Sequence, residues 1–137
     1  MGMDLLSAHG NLYLNHFSWH DCLECAYEFG WRPEGTIAPI DSHDKWDGSD
    51  YFSNAFQSVT DDDARNLGEA LLRGVAAISA LEQDKIQERY ALKQAKLQER
   101  FFFVKFTSVD PAQALAVEVQ RLQRFAAYAL KGGFVIA

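Results

Sequence analysis

Thr60-Asp61-Asp62-Asp63-Ala64-Arg65-Asn66-Leu67-Gly68-Glu69-Ala70-Leu71 is the stretch from which the fold is read. Thr60 is a preferred N-cap residue, because its hydroxyl takes one of the amide protons that a helix start leaves unpaired. Asp63 stands three places on, at the capping-box position. Asp61 and Asp62 complement the positive end of the helix dipole. Ala64, Leu67, Leu71, Val75 and Ile78 then recur every three or four residues, which predicts an amphipathic helix. Gly68 and Gly74 each weaken such a helix by about 1 kcal/mol relative to alanine. Their small size suits a close helix contact instead.

Towards the C-terminus the helical pattern does not stop at Ala80. Residues 81–100 hold no glycine and no proline and many strong helix formers. One unbroken helix over 61–100 would be about 60 Å long at ~1.5 Å per residue. That is longer than a compact domain of this size, so a bend, a projection or packing on a second chain is expected. Phe101-Phe102-Phe103-Val104-Lys105-Phe106 reads either as a helix end or as a buried strand. Asp110 at N-cap and Pro111 at N1 start another helix. Leu115, Val119, Leu122, Phe125, Ala126 and Leu130 give its apolar face. Lys131-Gly132-Gly133 closes it. Phe134-Val135-Ile136-Ala137 is a strand candidate, expected to pair with Leu12-Tyr13-Leu14 because neither is stable alone.

Towards the N-terminus, Tyr51-Phe52-Ser53-Asn54 reads as a short extended segment. Residues 37–50 are irregular, and Trp46 within them either anchors the loop or lines a site. Trp31-Arg32-Pro33-Glu34-Gly35-Thr36 is a turn. Gly30 ends a helix whose N-cap is read as Ser18, with Asp21 three places on, and whose face is Trp19, Leu23, Ala26 and Tyr27. Gly10 to Asn15 is a short strand. The expected fold class is α+β, predominantly helical. Three main helices (about 18–29, 61–100 with room for a bend, and 111–131) pack on a small two- or three-stranded sheet. Residues 1–137 form one domain, with residues 81–106 as an extended helical insert.

Composition sets the wider bounds. A chain of 137 residues, 48% hydrophobic and 23% charged, has the make-up of one globular domain rather than a disordered one. Ten Phe, five Tyr and three Trp supply burial, and some are free to line a groove. The net charge of −6 repels phosphate backbones, so no nucleic-acid partner is expected. No apolar run approaches the ~20 residues of a spanning helix, and the first residues lack a signal-peptide pattern. A cytoplasmic, membrane-free protein is therefore expected, consistent with only two cysteines.

Three stretches together resemble a family of small, uncharacterised bacterial proteins. They are Gly30-Trp31-Arg32-Pro33-Glu34-Gly35-Thr36 behind a short helix, Tyr51-Phe52-Ser53-Asn54 with Val59-Thr60 and Asp63-Ala64, and Gly132-Gly133-Phe134. The family pattern often carries Asp-Gly after the Ser-Asn, where this chain has Ala55-Phe56. The resemblance implies an organisation of turns, caps and core positions, and it carries no established activity.

Four constellations bear on chemistry. His16, His20, Cys22 and Cys25 offer nitrogen and sulfur donors of the kind zinc takes. On a helix, however, Cys22 and His20 point about 160° apart, so core cysteines with surface histidines are expected and no metal. Asp61, Asp62 and Asp63, with Asp50 and Asp44, form an acidic group, yet the calcium-loop spacing is missing. Ser53 and Ser58 lack a nucleophile elbow, and Gly132-Gly133 follows a helix rather than opening one, so no dinucleotide cofactor is expected. Trp31, Trp46, Tyr51 and Asn54 either line a ligand pocket or seal the core under the long connection.

The fourth constellation is the long helix. Lys85, Arg89, Lys93, Lys96 and Arg100 share a face, and Ile86, Tyr90, Leu97 and Phe101 make a narrow apolar line beside it. A helix this long needs tertiary packing to persist. A second copy of the chain, or another protein, would supply it through Lys85, Ile86, Arg89, Tyr90, Lys93 and Leu97. The expected function is accordingly a non-enzymatic binding or interaction protein that self-associates as a dimer, without cofactors. The alternative is a small-molecule-binding domain or small enzyme using residues 31–54, with His43 or Asp44.

Overall fold

A computed structural model describes residues 2–42, 45–102 and 109–137. Among these residues lie four helices and one four-stranded antiparallel sheet, an α+β, predominantly helical architecture. The sheet is one strand larger than the upper expectation.

The chain opens on a hairpin of β1 (Gly2–Ser7) and β2 (Gly10–Asn15), in register from Gly2 opposite Asn15 to Ser7 opposite Gly10. Met3 and Leu5 point inward and are buried while Asp4 is exposed, the two-residue period of a half-buried strand. Periodicity does not reveal β1, because Gly2 and the adjacent Leu5-Leu6 blur the alternation. β3 (Gln57–Val59) and β4 (Phe134–Ile136) complete the sheet in the order β2-β1-β4-β3. The expected pairing of 134–137 with 12–14 is therefore corrected. β1 already occupies that side of β2, and β4 pairs with β1 through Leu5–Ile136 and with β3 through Gln57–Ile136.

The expected extended segment at Tyr51–Asn54 is corrected too. Asp50 accepts bonds from the backbone N–H groups of Phe52 (2.9 Å) and Ser53 (3.0 Å) and from the Ser53 hydroxyl (2.6 Å). An aspartate that captures the backbone two residues on bends it away from a ladder. The strand begins only at Gln57, after Phe56, which holds a left-handed φ of +68°.

α1 (His16–Glu28) starts earlier than the Ser18 cap predicts. Asn15 is the cap, its Oδ1 accepting the Ser18 N–H at 2.8 Å. Gly30 follows α1 with φ +106°, the conformation that favours glycine after a helix. α2 (Asp61–Ser79) is capped by Thr60 as its sequence demands, Asp63 N–H donating to Thr60 Oγ1 at 3.2 Å. α4 (Pro111–Leu130) is likewise capped by Asp110, with Gln113 N–H 3.2 Å from its Oδ2.

Of the alternatives for residues 61–100, the chain takes the bend, as a full break into two helices. α2 ends at Ser79, and α3 (Gln83–Arg100) begins after an extended Glu82. Nothing local forces the break, for no glycine or proline lies there. Tertiary contacts supply the reason: the break lets α3 pack against α4. Arg89 Nη2 and Lys93 Nζ reach Glu118 Oε1 on α4 at 2.7 and 2.9 Å, and Lys93 also reaches Asp21 on α1 at 2.7 Å. Phe101 and Phe102 form the turn that ends α3; the rest of the 101–106 question lies outside the described residues.

The core sits between the sheet and the α1–α2–α4 layer. Trp19 and Phe125 are fully buried and stacked, with ring centroids 5.5 Å apart. The two helix glycines mark the close contacts their size suits. A Cβ on Gly68 would lie 2.9 Å from Leu130 Cγ on α4, and one on Gly74 would lie 2.8 Å from Cys25 Sγ on α1. Each loss of helix propensity thus permits a closer helix pair.

Candidate functional site

Asp63 is the residue from which the site is built. Its backbone behaves as the cap requires, but its carboxylate does not turn back to the helix start. It is fully buried. Oδ1 accepts from Trp31 Nε1 at 3.0 Å and from the Glu34 N–H at 3.3 Å, and Oδ2 accepts from the Tyr51 hydroxyl at 2.6 Å. A carboxylate withdrawn from water needs such donors. Tyr51 Oη accepts in turn from the Gly35 N–H at 2.8 Å. Burial foremost, and then the bond to Asp63, hold the Tyr51 phenol well above its ordinary pKa. One carboxylate thereby fastens the 31–36 turn and Tyr51 to the first turn of α2.

Thr36 extends the clamp. Its N–H donates to the Gly48 carbonyl at 2.7 Å, and its hydroxyl accepts from Trp46 Nε1 at 3.1 Å. Trp46 is half-buried, so it pins the irregular loop to the turn.

Beside this clamp opens a cleft of about 640 Å³. Trp31 and Tyr51, both nearly buried, belong to its wall, their rings edge to face at 5.2 Å. α1 presents His20, Leu23, Glu24 and Tyr27 to it, the i, i+3, i+4, i+7 stripe of one helix face. The 31–36 turn adds Glu34, the loop adds Phe52, and the last turn of α3 adds Arg100. His20 stacks on Phe52 at 4.6 Å between centroids and touches His16 at 4.4 Å. Partial burial first, and the adjacent His16 next, hold the His20 pKa below its ordinary 6.5. At neutral pH its imidazole is uncharged. Arg100 Nη2 lies 3.8 Å from Glu24 Oε1.

The sequence-derived ligand residues divide evenly. Trp31 and Tyr51 meet at the cleft, whereas Trp46 and Asn54 are not among its lining residues, and Asn54 is exposed. His43 and Asp44 lie outside the described residues. The α1 stripe, Phe52, Glu34 and Arg100 were not anticipated as cleft residues. The spacing 20-23-24-27 was a usable signal, but assigning His20 to a metal set with Cys22 and Cys25 obscured it. Those cysteines are buried in the core as free thiols. Burial pushes the Cys25 thiol up to about 11 and the Cys22 thiol higher still. Among the described residues no group of three or more His, Cys, Asp or Glu is placed to hold a metal ion. Of the acidic group, Asp63 and Asp50 are spent as described, and Asp61 Oδ1 accepts the Gly133 N–H at 2.7 Å.

Of the α3 residues named for an interface, Arg89 and Lys93 pair with Glu118, Lys93 also with Asp21, and the Tyr90 hydroxyl accepts the Val109 N–H. Ile86, Arg89, Tyr90, Lys93 and Leu97 are half-buried, and Lys85 is exposed and paired with Glu88 at 3.3 Å. No α3 residue is fully buried, and Leu92 is 59% exposed. A smaller groove of about 260 Å³ separates α3 from the C-terminal ends of α1 and α2.

No helix among the described residues is long and apolar enough to cross a membrane. Comparison of the chain with family models, with curated proteins and with solved structures finds no match.

Proposed function

We propose that this chain is a small-molecule-binding domain whose site is the cleft between α1, the 31–36 turn and the end of α3. The observation that carries the reading is the cavity itself. At about 640 Å³ it falls within the ~300–1,000 Å³ range of ligand pockets. Its walls combine the rings of His20, Tyr27, Trp31, Tyr51 and Phe52 with a few charged groups at definite places. The buried Asp63 supports the reading further, because it makes the floor rigid. A rigid floor lets a ligand bind without the cost of ordering loops. Binding rather than turnover is favoured because, among the described residues, no nucleophile stands free in the cleft beside its His20 and Glu34. The Tyr51 phenol is bonded to Asp63, and the thiols are buried in the core.

Titration with a library of small aromatic compounds, followed by ¹⁵N–¹H NMR, tests this. Binders should shift the Trp31 indole N–H and the Gly35, Gly48 and Ser49 amides together. Phe52→Ala, which removes a half-exposed wall ring, should weaken the binders while the spectrum of the α2–α4 core stays unchanged. Hits that map elsewhere would remove the proposal.

Self-association is kept as a second reading, on the observation that α3 buries no residue completely and leaves Leu92 exposed in the groove beside α1 and α2. A monomeric mass by sedimentation at tens of micromolar removes it. The resemblance to small bacterial proteins is likewise proposed, and the hydrogen bonds that join its motif residues Trp31, Tyr51 and Asp63 support it. A cytoplasmic site of action is supported by the two unpaired thiols.

A further inference from the structure

We infer that the cleft selects an organic ammonium ion, bound by its ring walls and by the Glu34 carboxylate at the rim. The inference rests on the cleft being a ligand site and adds the charge of the ligand.

The first support is charge. Two carboxylates, Glu24 and Glu34, and one guanidinium, Arg100, line the cleft. Arg100 lies 3.8 Å from Glu24 and offsets it. Glu34 is exposed at the rim and has no ion-pair partner among the described residues. The uncompensated charge of the cleft is therefore negative. His20 does not reverse the balance, since burial and His16 keep it neutral at physiological pH. The net charge of −6 on the whole chain adds a field of the same sign at longer range.

The second support is the wall chemistry. Tyr27 and Phe52, each about half-exposed, bring ring surface to the cavity, and the buried Trp31 and Tyr51 stand behind it. The faces of such rings are negative and attract a cation without the desolvation that a second carboxylate would impose. One lining ring already holds a cation from outside the lining: the Arg32 guanidinium sits 4.7 Å from the Tyr27 ring centroid. An anionic ligand would meet Glu34, unpaired among the described residues, while Arg100 is shared with Glu24 and Arg32 is held on the Tyr27 ring. A cleft this size also exceeds a bare ammonium group, so the ligand carries an apolar body beside its charge.

Three probes with one ring and three charges decide the matter: benzyltrimethylammonium, benzyl alcohol and benzoate, titrated into the full chain and followed at the Trp31 indole and the Gly35 and Gly48 amides. The cation should bind more tightly than the alcohol by about fivefold or more, the size of a cation–π contact plus one carboxylate. Benzoate should bind weakest. Glu34→Gln should cut the cation's affinity by more than it cuts that of benzyl alcohol, and an equal loss for both counts against the inference; Glu34 offers only its backbone to Asp63, so the fold is not at risk. A peptide bearing trimethyllysine forms a further arm. If it binds more tightly than benzyltrimethylammonium, the ammonium head is recognised and its source is a protein side chain; if it binds less tightly, the source is a free amine. Equal affinity for the three ring probes, or preference for benzoate lost on Arg100→Gln, overturns the inference while the cleft remains a ligand site. Absence of binding by all the probes overturns the inference and the cleft reading together.

Discussion

Asp63→Ala is the perturbation that most searches the architecture of the site. The substitution strands three donors at once: the Trp31 indole, the Tyr51 hydroxyl and the Glu34 N–H. Each buried donor left without a partner costs about 1–3 kcal/mol. The adjoining cleft admits water to part of the gap, so the total expected is about 3–5 kcal/mol rather than the full sum. Asp63→Asn keeps one acceptor but loses the charge that strengthens these bonds, and should cost about 1–2 kcal/mol. Tyr51→Phe removes one bond to Asp63 and the acceptor for Gly35, for about 1.5–3 kcal/mol. Urea unfolding is the assay, read as a fall in midpoint at constant slope. Asp63 and Tyr51 share a bond, so the double variant should lose less than the two single losses added, by at least ~1 kcal/mol. A loss under about 1 kcal/mol for Asp63→Ala, or strict additivity with Tyr51→Phe, would refute the claim that this carboxylate holds the 31–36 turn.

Three further outcomes follow from particular residues. Phe56 holds φ +68° while 60% exposed, so Phe56→Gly should be more stable than Phe56→Ala by about 1 kcal/mol, the reverse of an ordinary position; equal stabilities by urea unfolding would show that the backbone there is unstrained. Glu118→Gln removes the shared partner of Arg89 and Lys93 and should cost about 1–3 kcal/mol, with amide exchange accelerated in α3 more than in α2 or α4; uniform exchange across the helices would mean that α3 is held by something else. His20 has its folded pKa below the ordinary 6.5, so the unfolded chain takes up that proton first. Stability should be at full value above about pH 6.5 and decline as pH falls through that value towards the folded pKa, and His20→Gln should flatten the decline; an unchanged pH slope in that variant counts against it.

The legible and illegible parts of this fold differ by physical cause. Caps are local, so Thr60 and Asp110 could be read directly, and both helix starts stand where their sequences put them. Gly68 and Gly74 were legible as contact points because a glycine inside a strong helix pattern needs a reason. The length of the 61–100 pattern called for a bend, but the place of the break between α2 and α3 was not legible. It is made by ion pairs to Asp21 and Glu118, residues 72 and 25 positions from Lys93, and no local residue announces it. β1 was hidden for a similar reason, since a strand is defined by the partners on either side of it. At the site, Trp31 and Tyr51 were visible as large rings in a loop-rich segment. Trp46, equally visible, is an anchor through Thr36. Asp63 has two roles, and only the helix-start role has a sequence signature.

The most direct measurement is the NMR titration of the intact chain with benzyltrimethylammonium, observed at the Trp31 indole N–H and the Gly35, Gly48 and Ser49 amides. The account predicts saturable shifts at these positions, weakened by Phe52→Ala and by Glu34→Gln. No saturable shift at these positions with this probe, with benzyl alcohol or with benzoate would contradict it.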